Sequence, residues 1–212
     1  LGITASDFII LPNVATSVYI ELVDENRNTI VNYYCPFEQI KLITPMDMQA
    51  HANVLDTASM FIVHDSIPLS VMEYLHSAYP EQPIFLVGSG ERFAGALIDS
   101  FKYVCSSVFS LEIAAAMVWK KKAANVSLEH LPDVCRQLVR LGLKDFYIMA
   151  DAYTLVYCDG RSLTLHTSAN PTYSEGCNLA HYYSDCRDIF SAVICCQQQN
   201  GSGRHSILDY LA

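Results

Sequence analysis

Several short constellations in this chain bring together groups capable of chemistry. His64-Asp65 sets an imidazole beside a carboxylate at the end of an apolar run, Met60–His64, that reads as a strand. Open α/β sheets bind ligands beyond the carboxyl ends of their strands. The pair has no third ligand or nucleophile to complete a known pattern, so it reads as structural. Gly88-Ser89-Gly90 also follows a strand, but no Gly-Lys-Ser/Thr comes after it, and it reads as a β–α turn rather than a phosphate cradle. Lys120-Lys121-Lys122 ends a predicted helix, where cations suit the dipole; a contact to RNA or a partner is the functional alternative. Glu112 follows the N-cap candidate Ser110, and Asp185 and Asp188 follow the N-cap candidate Ser184, so all three acids fit first helical turns. The seven histidines show no His-Glu-x-x-His or comparable metal spacing, and no metal site is expected. None of the eight cysteines forms a Cys-x-x-Cys pair, and most lie in apolar runs where a free thiol acts as a small hydrophobe. That usage points to a reducing, intracellular compartment, either cytoplasm or mitochondrial matrix.

These groups have to be positioned by regular elements, and the sequence marks them. Residues 17–23 and 29–34 are β-rich and flank the polar turn Asp24-Glu25-Asn26-Arg27-Asn28, giving a hairpin over 17–34. Thr44 as N-cap and Pro45 at the first helical position open a helix to about Leu55. Alternation follows: strand Met60–His64, helix Leu69–Ala78, strand Pro83–Val87, helix Arg92–Ser100, strand Tyr103–Ser106 and helix Ser110–Lys120. Residues 129–141 carry Leu131, Val134, Cys135, Leu138 and Leu141 at helical spacing, with Pro132 in the first turn and Gly142 just beyond. Then come a strand Phe146–Ala150 and a hairpin of Tyr153–Tyr157 with Ser162–His166 across Asp159-Gly160. A helix Asp185–Gln199 and a terminal helix Ser206–Leu211 complete the series. Strands alternating with helices predict a largely parallel sheet covered on both faces, in one domain over residues 1–212.

Composition bounds the function. The chain has 212 residues, 51% hydrophobic and 17% charged, which excludes disorder because so apolar a chain can offset its ordering entropy. No apolar run reaches the roughly 18 residues of a spanning helix, so no membrane role is expected. Thirteen Lys+Arg against 22 Asp+Glu leave a net charge of −9, which argues against a broad nucleic-acid interface. The chain opens at Leu1 with no initiator Met and no signal segment, and the expectation is a processed or ordered part of something longer.

Read with their local sequence, the elements resemble the PfkB (ribokinase-like) family of sugar and nucleoside kinases. TSVYIELVDENRNTIVNYY looks like that family's strand–Asp-Glu-Asn-Gly–strand hairpin of lid type. ITPMDMQAHANVLDTASMFIVHDSIP is similar to its Thr-Pro-Glu-Asp helix and following strand, with a lean to the pseudouridine-kinase branch. CRQLVRLGLKDFYIMADAYTLVYCDG resembles its helix–Leu-Gly-Val-Lys-strand–hairpin unit, and SDCRDIFSAVI stands where the family has Gly-Ala-Gly-Asp-x-Phe. The resemblance implies a three-layer α/β/α fold, of which this chain is the C-terminal two-thirds.

The resemblance also assigns roles. Asp188 would be the general base that takes the hydroxyl proton, and Ser184 and Arg187 would line the anion hole for the transferring phosphate. The signature's two glycines are Asp185 and Arg187 here and its alanine is Cys186, so an acid stands in the anion hole while Arg187 can bind phosphate directly. The family's Asn-x-x-Glu metal and phosphate motif reads Phe109-Ser110-Leu111-Glu112, keeping only Glu112. Its Gly-x-x-Gly nucleotide loop falls at Ala150 and Tyr153, and an acidic position before the signature falls at Tyr182.

Degeneration at separate motifs points to a pseudokinase serving as a structural or protein-interaction subunit, with no cofactor. The 13 tyrosines suit a chain that buries surface against protein partners or in a homodimer through the lid hairpin. The alternative is an ATP- and Mg-dependent sugar or nucleoside kinase using Asp188. A third reading is a sensor that binds a nucleoside or nucleotide without turnover.

Overall fold

The computed structural model describes residues 8–11, 14–15, 18–25, 29–34, 38–88, 97–120, 126–151, 154–167, 191–196 and 200. Strands β1 (Tyr19–Val23) and β2 (Thr29–Tyr34) form an antiparallel hairpin that is a sheet by itself, with Leu22 opposite Val31. Its described apolar side chains, Val18, Ile20, Leu22 and Val31, are all exposed.

The segment after the hairpin becomes helical where Thr44 and Asp47 form a capping box. The Asp47 carboxylate accepts both the Thr44 N–H and hydroxyl at 2.7 Å, bonds that hold its carboxyl below the usual range. The expected helix to Leu55 is broken at His51 into α1 (Pro45–Ala50) and α2 (Ala52–Leu55). The cause is local. The His51 ring nitrogen Nδ1 takes the Asp47 carbonyl at 2.8 Å, and the His51 N–H turns to the Met48 carbonyl instead.

The main sheet has six strands in the order in which the chain makes them: β3 (Phe61–His64), β4 (Ile84–Val87), β5 (Ser106–Ser110), β6 (Phe146–Asp151), β7 (Thr154–Cys158) and β8 (Leu163–Thr167). The first four are parallel, and β7 and β8 return antiparallel. The β7–β8 turn follows its sequence signal. Gly160 takes φ +81, and the Asp159 carboxylate accepts the Arg161 and Ser162 amides.

One sheet face carries the larger core, built on Leu86, Phe109, Phe146 and Ile148. It is covered by α3 (Leu69–Ala78), α4 (Leu111–Trp119) and α5 (Leu131–Arg140) through residues such as Met72, Met117 and Leu138. The opposite face groups Phe85, Val87, Val108, Tyr147 and Tyr157, and Ile194 and Cys195 of α6 (residues 191–196) pack there. The parallel, two-faced α/β architecture is the one expected from the alternation of elements.

One strand differs from its sequence expectation. The predicted strand Tyr103–Ser106 lies instead at Ser106–Ser110, because a 3-10 helix over Ile98–Tyr103 absorbs the aromatic start. The Ser-Ser pair, a poor strand former, is held inside by pairing between β4 and β6 and by the Ser106 hydroxyl, which donates to buried Asp145 at 3.0 Å. Of the predicted helix Arg92–Ser100 and the helix Asp185–Gln199, only parts fall among the described residues, and Ser206–Leu211 lies outside them.

Candidate functional site

The carboxyl ends of the four parallel strands form one rim of the sheet, the edge at which open α/β folds take ligands. β3 delivers His64, β4 leads into Gly88, β5 ends in Phe109-Ser110 at the start of α4, and β6 ends in Asp151.

Gly88 and Phe109 are locked together. A Cβ placed on Gly88 would lie 2.4 Å from Cδ1 of the Phe109 ring, so only glycine admits that ring. The ring is fully buried and packs with Phe101 at 6.5 Å between centroids. Phe109 therefore offers hydrocarbon, and no oxygen, at the first position of the motif that resembles Asn-x-x-Glu. Glu112 stays exposed in the first turn of α4, behind Ser110, whose hydroxyl accepts the Ile113 N–H at 3.3 Å as an N-cap. The described half of a magnesium–phosphate site therefore does not fit that group: one carboxylate is accessible and its partner position is core.

The sequence pairs His64 with Asp65, and the structure adds Ser66. The His64 Nδ1 lies 2.6 Å from the Ser66 hydroxyl and 3.1 Å from an Asp65 carboxylate oxygen. A serine–histidine–aspartate relay needs acid and nucleophile on opposite ring nitrogens. Here both meet the same nitrogen, so the trio is not a relay. The signal was present in the run His64-Asp65-Ser66, but only the fold brings the serine back onto the ring.

Ala150 is half-buried at the end of β6, and Asp151 pairs with Thr154 across the tight connection to β7. Tyr153, Tyr182, Ser184, Arg187 and Asp188 lie outside the described residues. Elsewhere the thiols of Cys135 and Cys195 are poor nucleophiles, because burial pushes them up to about 12. Among the described residues no group of three metal-binding side chains converges, and no helix is long and apolar enough to cross a membrane.

No protein-family profile matches the sequence, and no curated protein is similar to it at the sequence level. Solved structures are. A carbohydrate kinase from Agrobacterium tumefaciens superposes with a TM-score of 0.70 at 13% identity, over 93% of this chain and 60% of that one. A ribokinase from Arabidopsis thaliana, solved with ribose and ATP, gives 0.63 at 11% identity, over 94% and 61%. A pyridoxal kinase from Staphylococcus aureus, solved with pyridoxal, gives 0.58 at 13%, over 91% and 70%. At such identities the likeness defines a fold, and the chain has the ribokinase-like α/β fold. It spans about 60% of the length of the carbohydrate kinase and ribokinase it matches.

Proposed function

We propose that this chain is a ribokinase-like scaffold that no longer transfers phosphate and works as a structural or protein-interaction subunit. The observation that carries the reading is the Phe109–Gly88 lock. A carboxyl rim that serves phosphoryl transfer needs oxygen ligands and backbone N–H groups open to an anion. Here two of the four strand ends meet where the buried Phe109 ring packs against Gly88, and losing the ring would cost core packing. The exposed apolar side chains of the β1–β2 hairpin support the interaction side, since a lone two-stranded ribbon is marginal in water and gains from being covered. A protein partner or a second copy of the chain suits that face.

Differential scanning with Mg-ATP at millimolar concentration tests the reading. No shift in Tm is expected, and the protein should purify in a stoichiometric complex or as a dimer. A shift that Asp188→Asn abolishes, together with phosphorylation of a sugar or nucleoside, would overturn it.

One observation favours the kinase alternative. Glu112 is exposed at the rim, so the retained half of its motif is accessible. In that reading Asp188 is the base and Arg187 and Ser184 hold phosphate beside Mg-ATP. Assay of sugars and nucleosides with ATP, comparing wild type with Glu112→Gln, decides between the two.

A further inference from the structure

We propose that His64 is a protonation-dependent latch on the connection between β3 and α3. The argument is about one nitrogen with three claimants. His64 Nδ1 lies 2.6 Å from Ser66 Oγ, 3.2 Å from the Ser66 backbone nitrogen and 3.1 Å from Asp65 Oδ1. A neutral ring with a bare Nδ1 accepts from the Ser66 N–H and hydroxyl, but sets its lone pair against the carboxylate. A protonated Nδ1 donates to Asp65, but sets its hydrogen against the Ser66 N–H. No single protonation state satisfies all three partners. Neutral His64 belongs to Ser66 and carries its proton on Nε2, whereas imidazolium belongs to Asp65.

The surroundings make the exchange consequential. The Asp65 side chain is fully buried, and 41% of the His64 side chain is exposed, so the ring can trade protons with water while its anionic partner cannot leave. The loop is short and held at both sides. The Asp65 N–H donates to the Val87 carbonyl at 3.0 Å, the Ile67 N–H to the His64 carbonyl at 3.1 Å, and Pro68 then caps α3. Exchange of Ser66 for Asp65 moves the ring's tie to the loop by one residue, shortly before a helix rooted in the core by Val71, Met72 and Leu75. Few other charges compete. β4 sets Val87 opposite His64, the first turn of α3 has no acid, and Asp65 is the one charged group within ion-pair distance of the ring among the described residues. The latch sits on the carboxyl rim and is independent of whether the rim binds nucleotide.

Nuclear magnetic resonance on the unaltered chain tests it. At pH 8 the His64 ring nitrogens should report an Nε2-protonated tautomer with Nδ1 accepting. Titration to pH 5 should shift the Ser66 amide with the His64 midpoint. After correction for intrinsic rates, exchange of that amide should quicken about fivefold, the effect of losing one modest hydrogen bond. The Asp65 amide, bonded to Val87, should not follow. His64→Gln should make the Ser66 amide indifferent to pH. An Nδ1-protonated tautomer at pH 8, or a Ser66 amide that ignores the titration, would overturn the proposal even if that variant failed to fold.

Discussion

The two ends of the parallel sheet are built on opposite plans. At the amino end, Asp145 is buried beneath β6, yet it accepts the Ser106 hydroxyl at 3.0 Å and the Tyr157 hydroxyl at 3.4 Å. The carboxylate is taken inside together with its donors. At the carboxyl end, where this architecture takes its ligands, a phenylalanine ring is wedged over a glycine. At β6 the amino end buries a carboxylate among hydroxyl donors, whereas at β4 and β5 the carboxyl end buries a ring against a glycine, and its polar cluster of His64, Asp65 and Ser66 lies at the end of β3. The contrast separates holding the fold from doing chemistry on it, since a fold and the activity it carries are separable.

Four substitutions would break or sharpen that contrast. Phe109→Ala should cost about 3–5 kcal/mol in urea unfolding, because it empties a fully buried site beside rigid strands. If the loss were under 1 kcal/mol, the carboxyl end would be an open pocket and not a lock. Gly88→Ala should cost roughly 1–3 kcal/mol through overpacking, and combining it with Phe109→Ala should cost clearly less than the sum, since the added methyl then has room. Additive losses would mean the two residues do not touch. At the amino end, Ser106→Ala should cost about 2 kcal/mol by depriving a buried carboxylate of a donor. Its neighbour supplies the control. The buried Ser107 hydroxyl has no hydrogen-bond partner among the described residues, so Ser107→Ala should stabilise the chain by about 1 kcal/mol, read as a rise in Tm. A loss there would show that the Ser107 hydroxyl makes a hydrogen bond.

Much of this arrangement is legible in the sequence, and the exceptions share a cause. Helix Leu69–Ala78 and the hairpin around Asp159-Gly160 appear where periodicity and turn chemistry place them, because local signals dictate them. The strand at Ser106–Ser110 was displaced because its residues are strand-like only between their neighbours. The break at His51 comes from a side chain competing for a backbone carbonyl, which no periodicity records. At the candidate site, sequence showed that the asparagine position holds Phe109. It could not show that the ring turns into the core, or that Gly88, 21 positions earlier, is what lets it in. Likewise the ring of His64 and the hydroxyl of Ser66 are near in sequence, but their meeting on Nδ1 depends on how the β3 end turns.

The strand order from β3 to β8 carries a consequence for synthesis. Each new strand docks beside the one just made, so the sheet lengthens in step with the emerging chain and needs few distant encounters. Its faces do not mature together. α3, α4 and α5 are made between the strands and cover their face as it grows. Among the described residues, the helix that packs on Phe85, Val87, Val108 and Tyr147 is α6, which is translated after β8. A chain interrupted before α6 therefore lacks the helix that packs on this apolar face, and partly made chains of this kind are the ones prone to aggregate.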